Sequence, residues 1–242
     1  MSTNDVLTIS GLTKRFGGVT AVNDLSFVLT KGEMVGIVGP NGAGKTTIFN
    51  LITGFLRKDS GSIFFDGKEI SNESPYKISL SGISRTFQQV RSFQGLTVLE
   101  TASLPIVIRH KPVDRARLLE LLGSVGLSGK ENVMTSALTY VEAKSLEIVK
   151  SIVIDPKLLL LDEPFGGLNV HEIEIMTSVI RRQRDEGRTC IIIEHRLAEL
   201  FALVRRLIVV DFGQKIADGD PQEVVKRENV IEAYIGKEAK KE

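Results

Sequence analysis

The segment Gly39-Pro40-Asn41-Gly42-Ala43-Gly44-Lys45-Thr46 constrains this chain more than any other stretch of it. It matches G-x-x-x-x-G-K-[ST], a glycine-rich turn that joins a strand to a helix and cradles phosphate. The flanks suit that reading: residues 33–38 are a compact apolar strand, and residues 45–51 continue as a helix. Each residue type answers a physical need. Where backbone N–H groups curl around phosphate oxygens a Cβ would clash, so glycine is required. The helix that opens near Lys45 points the positive end of its dipole at the anion. Lys45 adds a full charge near the β and γ phosphates, and the Thr46 hydroxyl is placed for Mg²⁺, with Thr47 beside it. The bland alternative is a strand-to-helix turn that binds nothing.

A second pattern points to the same chemistry. Leu158-Leu159-Leu160-Leu161-Asp162-Glu163 is a buried strand that ends in two carboxylates. Asp162 is the candidate to hold Mg²⁺, directly or through water, since magnesium takes oxygen ligands in few, well-fixed positions. Glu163, one residue beyond, is the candidate to polarise an attacking water. An isolated apolar run ending in Asp-Glu is more often a strand meeting solvent; a complete phosphate loop upstream reverses that reading.

Around these motifs, short apolar runs alternate with helical stretches, an α/β pattern with a largely parallel sheet. The opening differs: residues 6–12, 19–27 and 63–65 read as short antiparallel strands, with Asp66-Gly67 as a hairpin turn. From residue 96 to 154 helices dominate, at 98–108, 113–125 and 142–154, and strand-like runs resume at 158–161, 191–193 and 207–210. The helical block therefore reads as an insertion. This divides one 1–242 domain into a nucleotide-binding core with its β subdomain (1–87 and 155–220), a helical subdomain (88–154), and a C-terminal helix and tail (221–242). The net charge of +1 offers no case for nucleic-acid binding. No apolar run approaches the roughly 20 residues that span a bilayer, and residues 1–5 lack the pattern of a secretory signal. Cys190 has no partner for an internal disulfide, and its apolar setting favours a buried, inert thiol. The triplet Asp211-Phe212-Gly213 copies a kinase motif, but flanking strands and the absence of other kinase patterns make it a turn.

In order along the chain, these and further short elements resemble the ABC ATPases. Phe16 lies where that family stacks an aromatic on adenine, with Val22 nearby; Gln88, in Arg85-Thr86-Phe87-Gln88, matches the Q-loop glutamine that senses Mg²⁺ and water. Leu138-Thr139-Tyr140-Val141-Glu142 occupies the place of the ABC signature, Gly166-Gly167-Leu168-Asn169 that of the D-loop, and His195 that of the switch histidine facing the γ-phosphate. Each has a plainer reading when alone: a core aromatic, a solvated glutamine, a structural histidine. The resemblance implies a RecA-like core with ATP and Mg²⁺ as ligands and Glu163, His195 and Gln88 as the hydrolytic set. It also implies docking on transmembrane permease subunits at the cytoplasmic face of the membrane, where Val98, Leu99, Ile106 and Val107 are core residues or part of the docking surface. Within the family, Arg15-Phe16-Gly17-Gly18-Val19-Thr20-Ala21-Val22, Thr53-Gly54-Phe55 and residues 82–88 and 96–100 are similar to the branched-chain amino-acid uptake ATPases. An external solute-binding protein would then act indirectly. The related lipopolysaccharide-export ATPase is the nearest alternative; a DNA- or ribosome-directed ABC ATPase and a weakly hydrolysing regulator are further ones.

The signature departs from the family pattern. Val141 stands for its second glycine and Glu142 for its glutamine; Lys144-Ser145 replace two arginines, and Arg196 follows the histidine in place of aspartate. Valine is stiff and branched where backbone N–H groups should meet oxygen, and Glu142 adds negative charge near an anion. In this family the signature serves ATP held by the opposite subunit, while Lys45, Thr46, Gln88, Asp162, Glu163 and His195 serve the chain's own. The expectation is a heterodimer whose second ATPase carries an intact signature, with a homodimer as the alternative.

Overall fold

The computed structural model describes residues 4–88, 93 and 95–235; the mixed-charge tail at 237–242 lies outside them. Strands β1 (Asp5–Phe16) and β2 (Val19–Thr30) pair antiparallel, with Leu7 opposite Leu29 and Phe16 opposite Val19. Both outrun the apolar runs visible in the sequence, because backbone groups go on pairing wherever a partner strand lies alongside.

The chain then enters β3 (Met34–Val38) and α1 (Lys45–Ile52) and returns as β4 (Ser60–Phe65) and β5 (Lys68–Glu69). Asp66 and Gly67 turn the β4–β5 hairpin with φ of 50° and 75°, as two-residue turns favour. This antiparallel sheet has the order β2-β1-β4-β5. After α2 (Pro75–Ser81) and β6 (Ile83–Arg85) come α3 (Val98–Val107), α4 (Arg115–Ser124) and α5 (Tyr140–Ile152). The remainder runs β7 (Leu158–Asp162), α6 (Val170–Asp185), β8 (Thr189–Ile193), α7 (Leu197–Phe201), β9 (Arg206–Asp211), β10 (Gln214–Gly219), α8 (Pro221–Val224) and α9 (Glu228–Ile235). The second sheet has the order β10-β9-β3-β8-β7-β6; only β10 is antiparallel.

Every residue of β3, β7 and β8 is buried, as parallel strands covered on both faces require. Their period of two feeds two cores. Val35, Ile37, Leu158, Leu160, Ile191 and Ile193 pack toward the antiparallel sheet and α1. Met34, Val38, Leu159, Leu161, Cys190 and Ile192 pack on the other face among α3, α5 and α6. Burial pushes the Cys190 thiol far above its usual range, which keeps it inert. Of the apolar set on α3, Val98 and Ile106 are core and Leu99 packs against it, whereas Val107 is 51% exposed. Val107 follows Ile106 directly, and a 100° step around the helix turns it out of the core.

Helices α2, α6 and α7 and strand β10 had no counterpart among the segments read from the sequence. In α6 the apolar face of Ile173, Met176 and Ile180 is diluted by ten charged or polar residues, Arg and Glu among them, so periodicity stands out poorly. Strand β10 exists because Phe212 and Gly213 turn the chain back on β9, both at positive φ. The Arg206 guanidinium then ties the edge together, donating to Asp218 at 2.6 and 2.9 Å, to Glu33 at 3.0 Å and to the Val28 carbonyl at 2.9 Å. Burial raises the Asp218 carboxyl, but its bonds from Arg206 and Lys215 outweigh that and hold it below the usual range. A depressed carboxyl contributes stability above its unfolded value and loses it as pH falls. Asp218→Asn should cost about 1–3 kcal/mol at neutral pH and flatten the loss of stability below about pH 4, read from urea midpoints across pH. An unchanged acid limb would exclude Asp218 as its source.

Candidate active site

Strands β3, β7 and β8 lie side by side, so the turns leaving their carboxyl ends open on one edge of the sheet. The phosphate loop leaves β3. A Cβ on Gly39 would come within 1.9 Å of the Val210 carbonyl oxygen, and one on Gly44 within 2.2 Å of that of Ala21. Glycine is therefore dictated by packing at both positions, before any ligand arrives. The loop is laced to its neighbours through Ala43 N–H to the Pro40 carbonyl and Gly213 N–H to the Ala43 carbonyl. Helix α1 begins after Gly44 without a side-chain cap, which leaves first-turn N–H groups to an anion. Lys45 is buried, its ammonium donating to the Gly39 and Pro40 carbonyls at 2.6 and 3.0 Å, while Asn41, Gly42 and Thr46 face outward.

At the end of β7, Asp162 is 2% exposed and meets the Arg85 guanidinium at 2.9 Å. Arg85 also donates to Asn50 and Thr53 and lies over the Phe49 and Phe87 rings. Burial raises the Asp162 carboxyl; Arg85 and the more distant Lys45 pull it down. Its Oδ1 is buried without a partner, an oxygen ready for a cation. Asp162 Oδ1 and the outward-facing Thr46 hydroxyl offer oxygen alone, and among the described residues no group of three or more His, Cys, Asp or Glu is placed to hold a metal ion by itself. That donor set fits Mg²⁺, which keeps most of its shell for water and phosphate.

Glu163 adopts a φ of 49°, in the left-handed region that is unusual for a residue with a Cβ. Gln88 donates to it at 3.0 Å, and His195 Nε2 lies 3.2 Å from it. The three side chains are thus together, on chain segments 75 and 32 residues apart. Glu194, buried beside them, accepts from the amides of Phe165, His195 and Arg196, which pins the turn after β7 to the turn after β8.

The signature segment is joined to the same turn. Lys144 on α5 is buried and donates to the carbonyls of Glu163 and Gly166 at 2.7 and 2.6 Å. Tyr140 packs so closely on Gly167 that a Cβ there would lie 2.9 Å from its ring. Val141 is half-buried against the helical core beside Leu138. The Glu142 carboxylate turns back onto the Thr139 amide at 2.9 Å, completing a capping box, and pairs with Lys130. Those contacts lower its titration below the usual range, Lys130 first. Leu168 is buried, and Asn169 caps α6 through the Glu172 amide.

Phe16 sits at the tip of the β1–β2 hairpin, 47% exposed, with the Lys14 ammonium over its ring. Val22, on the same hairpin, is wholly buried in the core beneath the antiparallel sheet, with its backbone beside Gly213. Sequence reading passed over Arg85, Glu194 and Lys144 as actors, because each works through a contact with a distant segment. It also passed over Tyr234 on α9, whose hydroxyl meets the Gly39 backbone; burial pushes that phenol up to about 12.

The family model described as ABC transporter matches residues 22–166, and that described as branched-chain amino acid ATP-binding cassette transporter matches residues 214–240. The chain is 34% identical to the high-affinity branched-chain amino acid transport ATP-binding protein BraF of Pseudomonas aeruginosa, over 96% of this chain and 98% of that protein. The lipopolysaccharide export system ATP-binding protein LptB of Haemophilus influenzae is 32% identical over 97% of this chain and 99% of its own. A solved ATP-binding cassette of an ABC transporter in its ADP conformation superposes with a TM-score of 0.85 at 30% identity, covering 96% of this chain and 99% of that one.

Proposed function

Because this chain belongs to the ATP-binding subunits of ABC transporters, we propose that it powers branched-chain amino-acid import through membrane subunits carried by other polypeptides. As a member of that family it binds nucleotide and is an ATPase. The observation that carries the mechanism is the Glu163 carboxylate held between Gln88 and His195, one residue beyond Asp162. The phosphate loop, Lys45 and Thr46 bind the triphosphate, Phe16 stacks on the base, and Glu163 takes a proton from the attacking water. Magnesium, when bound through Thr46, Asp162 and Gln88, would neutralise charge on the phosphates.

Closure of two ATPase subunits around nucleotide, and reopening after hydrolysis, is the working stroke. It acts by population shift between open and closed pairs. The capping box at Glu142 favours a heterodimer in that stroke. Its carboxylate already satisfies the Thr139 amide, so α5 offers its partner's nucleotide a helix end whose positive pole is compensated from within. A second cassette with an uncapped signature would complete the site on this chain. No helix among the described residues is long and apolar enough to cross a membrane, so attachment at the cytoplasmic face comes through the permease subunits. The match at residues 214–240 favours amino-acid import over lipopolysaccharide export.

In vesicles containing permease, second cassette and solute-binding protein, the chain should drive ATP-dependent leucine uptake. Lys45→Ala should abolish uptake and weaken ATP binding by about tenfold or more, roughly the 1.4 kcal/mol of one charge-assisted contact. Uptake of an unrelated solute instead of leucine would overturn the cargo; rapid cooperative turnover by this chain as a homodimer would overturn the pairing.

A further inference from the structure

The turn that follows β7 is held by two buried charges of opposite sign. From the core, the Glu194 carboxylate, 3% exposed, accepts from the Phe165 amide at 2.7 Å. From the inserted helical block, the Lys144 ammonium donates to the Glu163 and Gly166 carbonyls at 2.7 and 2.6 Å. Lysine is almost never buried unless its charge is served, yet Lys144 is only 6% exposed. Burial lowers its titration, against the pull of the Glu194 and Glu163 carboxylates.

The residue so gripped is the one that most needs holding. Glu163 has a left-handed backbone, which a side chain with a Cβ keeps only where its surroundings impose it. A second donor to its carbonyl, the Gly166 amide, stands farther off at 3.2 Å. The ammonium is seated hard against the turn, since a Cβ on Gly166 would lie 3.3 Å from Lys144 Nζ. Tyr140, four residues earlier and so on the same face of α5, packs on Gly167 with its ring centroid 5.9 Å from that ammonium. Helix α5 therefore holds the turn through two adjacent side chains, and it opens at the signature segment with Thr139 as its cap.

We infer that Lys144 is a positioning residue for hydrolysis, fixing from the helical block the backbone that carries the Glu163 carboxylate. Glu163 then stands between Gln88 and His195 only while α5 is seated on the core, and a displacement of the block reaches the base through one side chain. Lys144 acts through Glu163 rather than on the phosphates, so the inference rests on Glu163 as the base. A neutral apolar side chain at 144 would leave two converging carbonyl oxygens without their charged donor, and the turn would take other settings.

In the assembled complex, Lys144→Met removes the ammonium at similar length and should lower kcat about 10- to 100-fold, the effect of misplacing a reacting group by about 1 Å. ATP–Mg²⁺ affinity, titrated directly, should stay within about twofold of the parent. Lys144→Arg, which restores a charged donor, should bring kcat back to within about threefold. Glu163→Gln supplies the discriminating background. There, Lys144→Met should lower the residual single-turnover phosphate release by less than about twofold, because the group it positions no longer acts. A lysine that serves the fold alone would lower both backgrounds alike. Lys144→Gln, a shorter neutral donor, is read in the same way if Lys144→Met binds no ATP. Parental kcat on removal of the ammonium, equal losses in the two backgrounds, or Lys144→Arg no faster than Lys144→Met overturns the positioning role. Unchanged turnover in Glu163→Gln itself removes the base and this inference with it. A slow Glu163→Gln beside a parental Lys144→Met removes Lys144 alone.

Discussion

Glu163→Gln should slow ATP turnover by about 10²–10⁴-fold, the usual worth of a positioned general base, while ATP affinity stays unchanged. The amide keeps the shape of the carboxylate, so Gln88 retains an oxygen to donate to at a site where it now donates at 3.0 Å. What is lost is the capacity to accept the proton of water. The nucleotide-bound pair should therefore accumulate closed, which gel filtration with ATP would reveal beside phosphate release from the assembled complex. His195 is the rival base, but at 44% exposed it is the more solvated partner of the two, against 24% for Glu163. Turnover reduced by no more than about threefold in Glu163→Gln, with a larger fall in His195→Ala, would transfer the role to the histidine.

Arg85→Met is expected to destabilise the chain by about 3–5 kcal/mol, because it leaves a carboxylate buried without its cation. Both side chains of the pair are almost inaccessible, 5% and 2% exposed, so solvent screening offers little relief. Asp162 is already raised by burial, and removing Arg85 deletes the largest influence that lowers it. The sign follows: a carboxyl whose folded value is raised favours the fold while protonated. The variant should lose stability as pH rises through that value, and its Mg²⁺-dependent ATP affinity should recover over the same range as the carboxylate forms. Urea midpoints across pH test the first statement and titration with ATP–Mg²⁺ the second. The double change Arg85→Met with Asp162→Leu should regain stability, since a well-packed apolar pair can equal a buried ion pair. A double variant as unstable as the single one would place the cost in lost contacts to Asn50, Thr53, Phe49 and Phe87 instead.

Much of the fold was legible because its signals are local. The runs at 158–161 and 191–193 are uninterrupted apolar stretches, and full burial on both faces of a parallel strand demands that composition. Asp66-Gly67 announces its own turn through the φ values that glycine and aspartate tolerate. Helix α6 was less visible, since a helix on the surface of the core needs only a narrow apolar stripe. For the candidate site, the phosphate loop is a contiguous pattern, and so is the strand ending in Asp162 and Glu163. The Arg85–Asp162 pair and the Lys144 bonds to Glu163 and Gly166 span 77 and 19–22 residues, and no periodicity marks either.

The amino-acid order by itself determined the strand–glycine loop–helix, the α/β alternation and the inserted helices, because these follow from backbone freedom and from the spacing of apolar side chains. Tertiary structure alone decided which charges face one another. It seated Arg85 on one oxygen of Asp162 and left the other open, and it turned Glu142 inward onto the end of its own helix. It also left the buried amide oxygen of Gln183, within an aliphatic stripe, without a hydrogen-bond partner. A side chain's electrostatic role depends on distance and burial, and both are properties of the assembled sheets and helices rather than of neighbours along the chain.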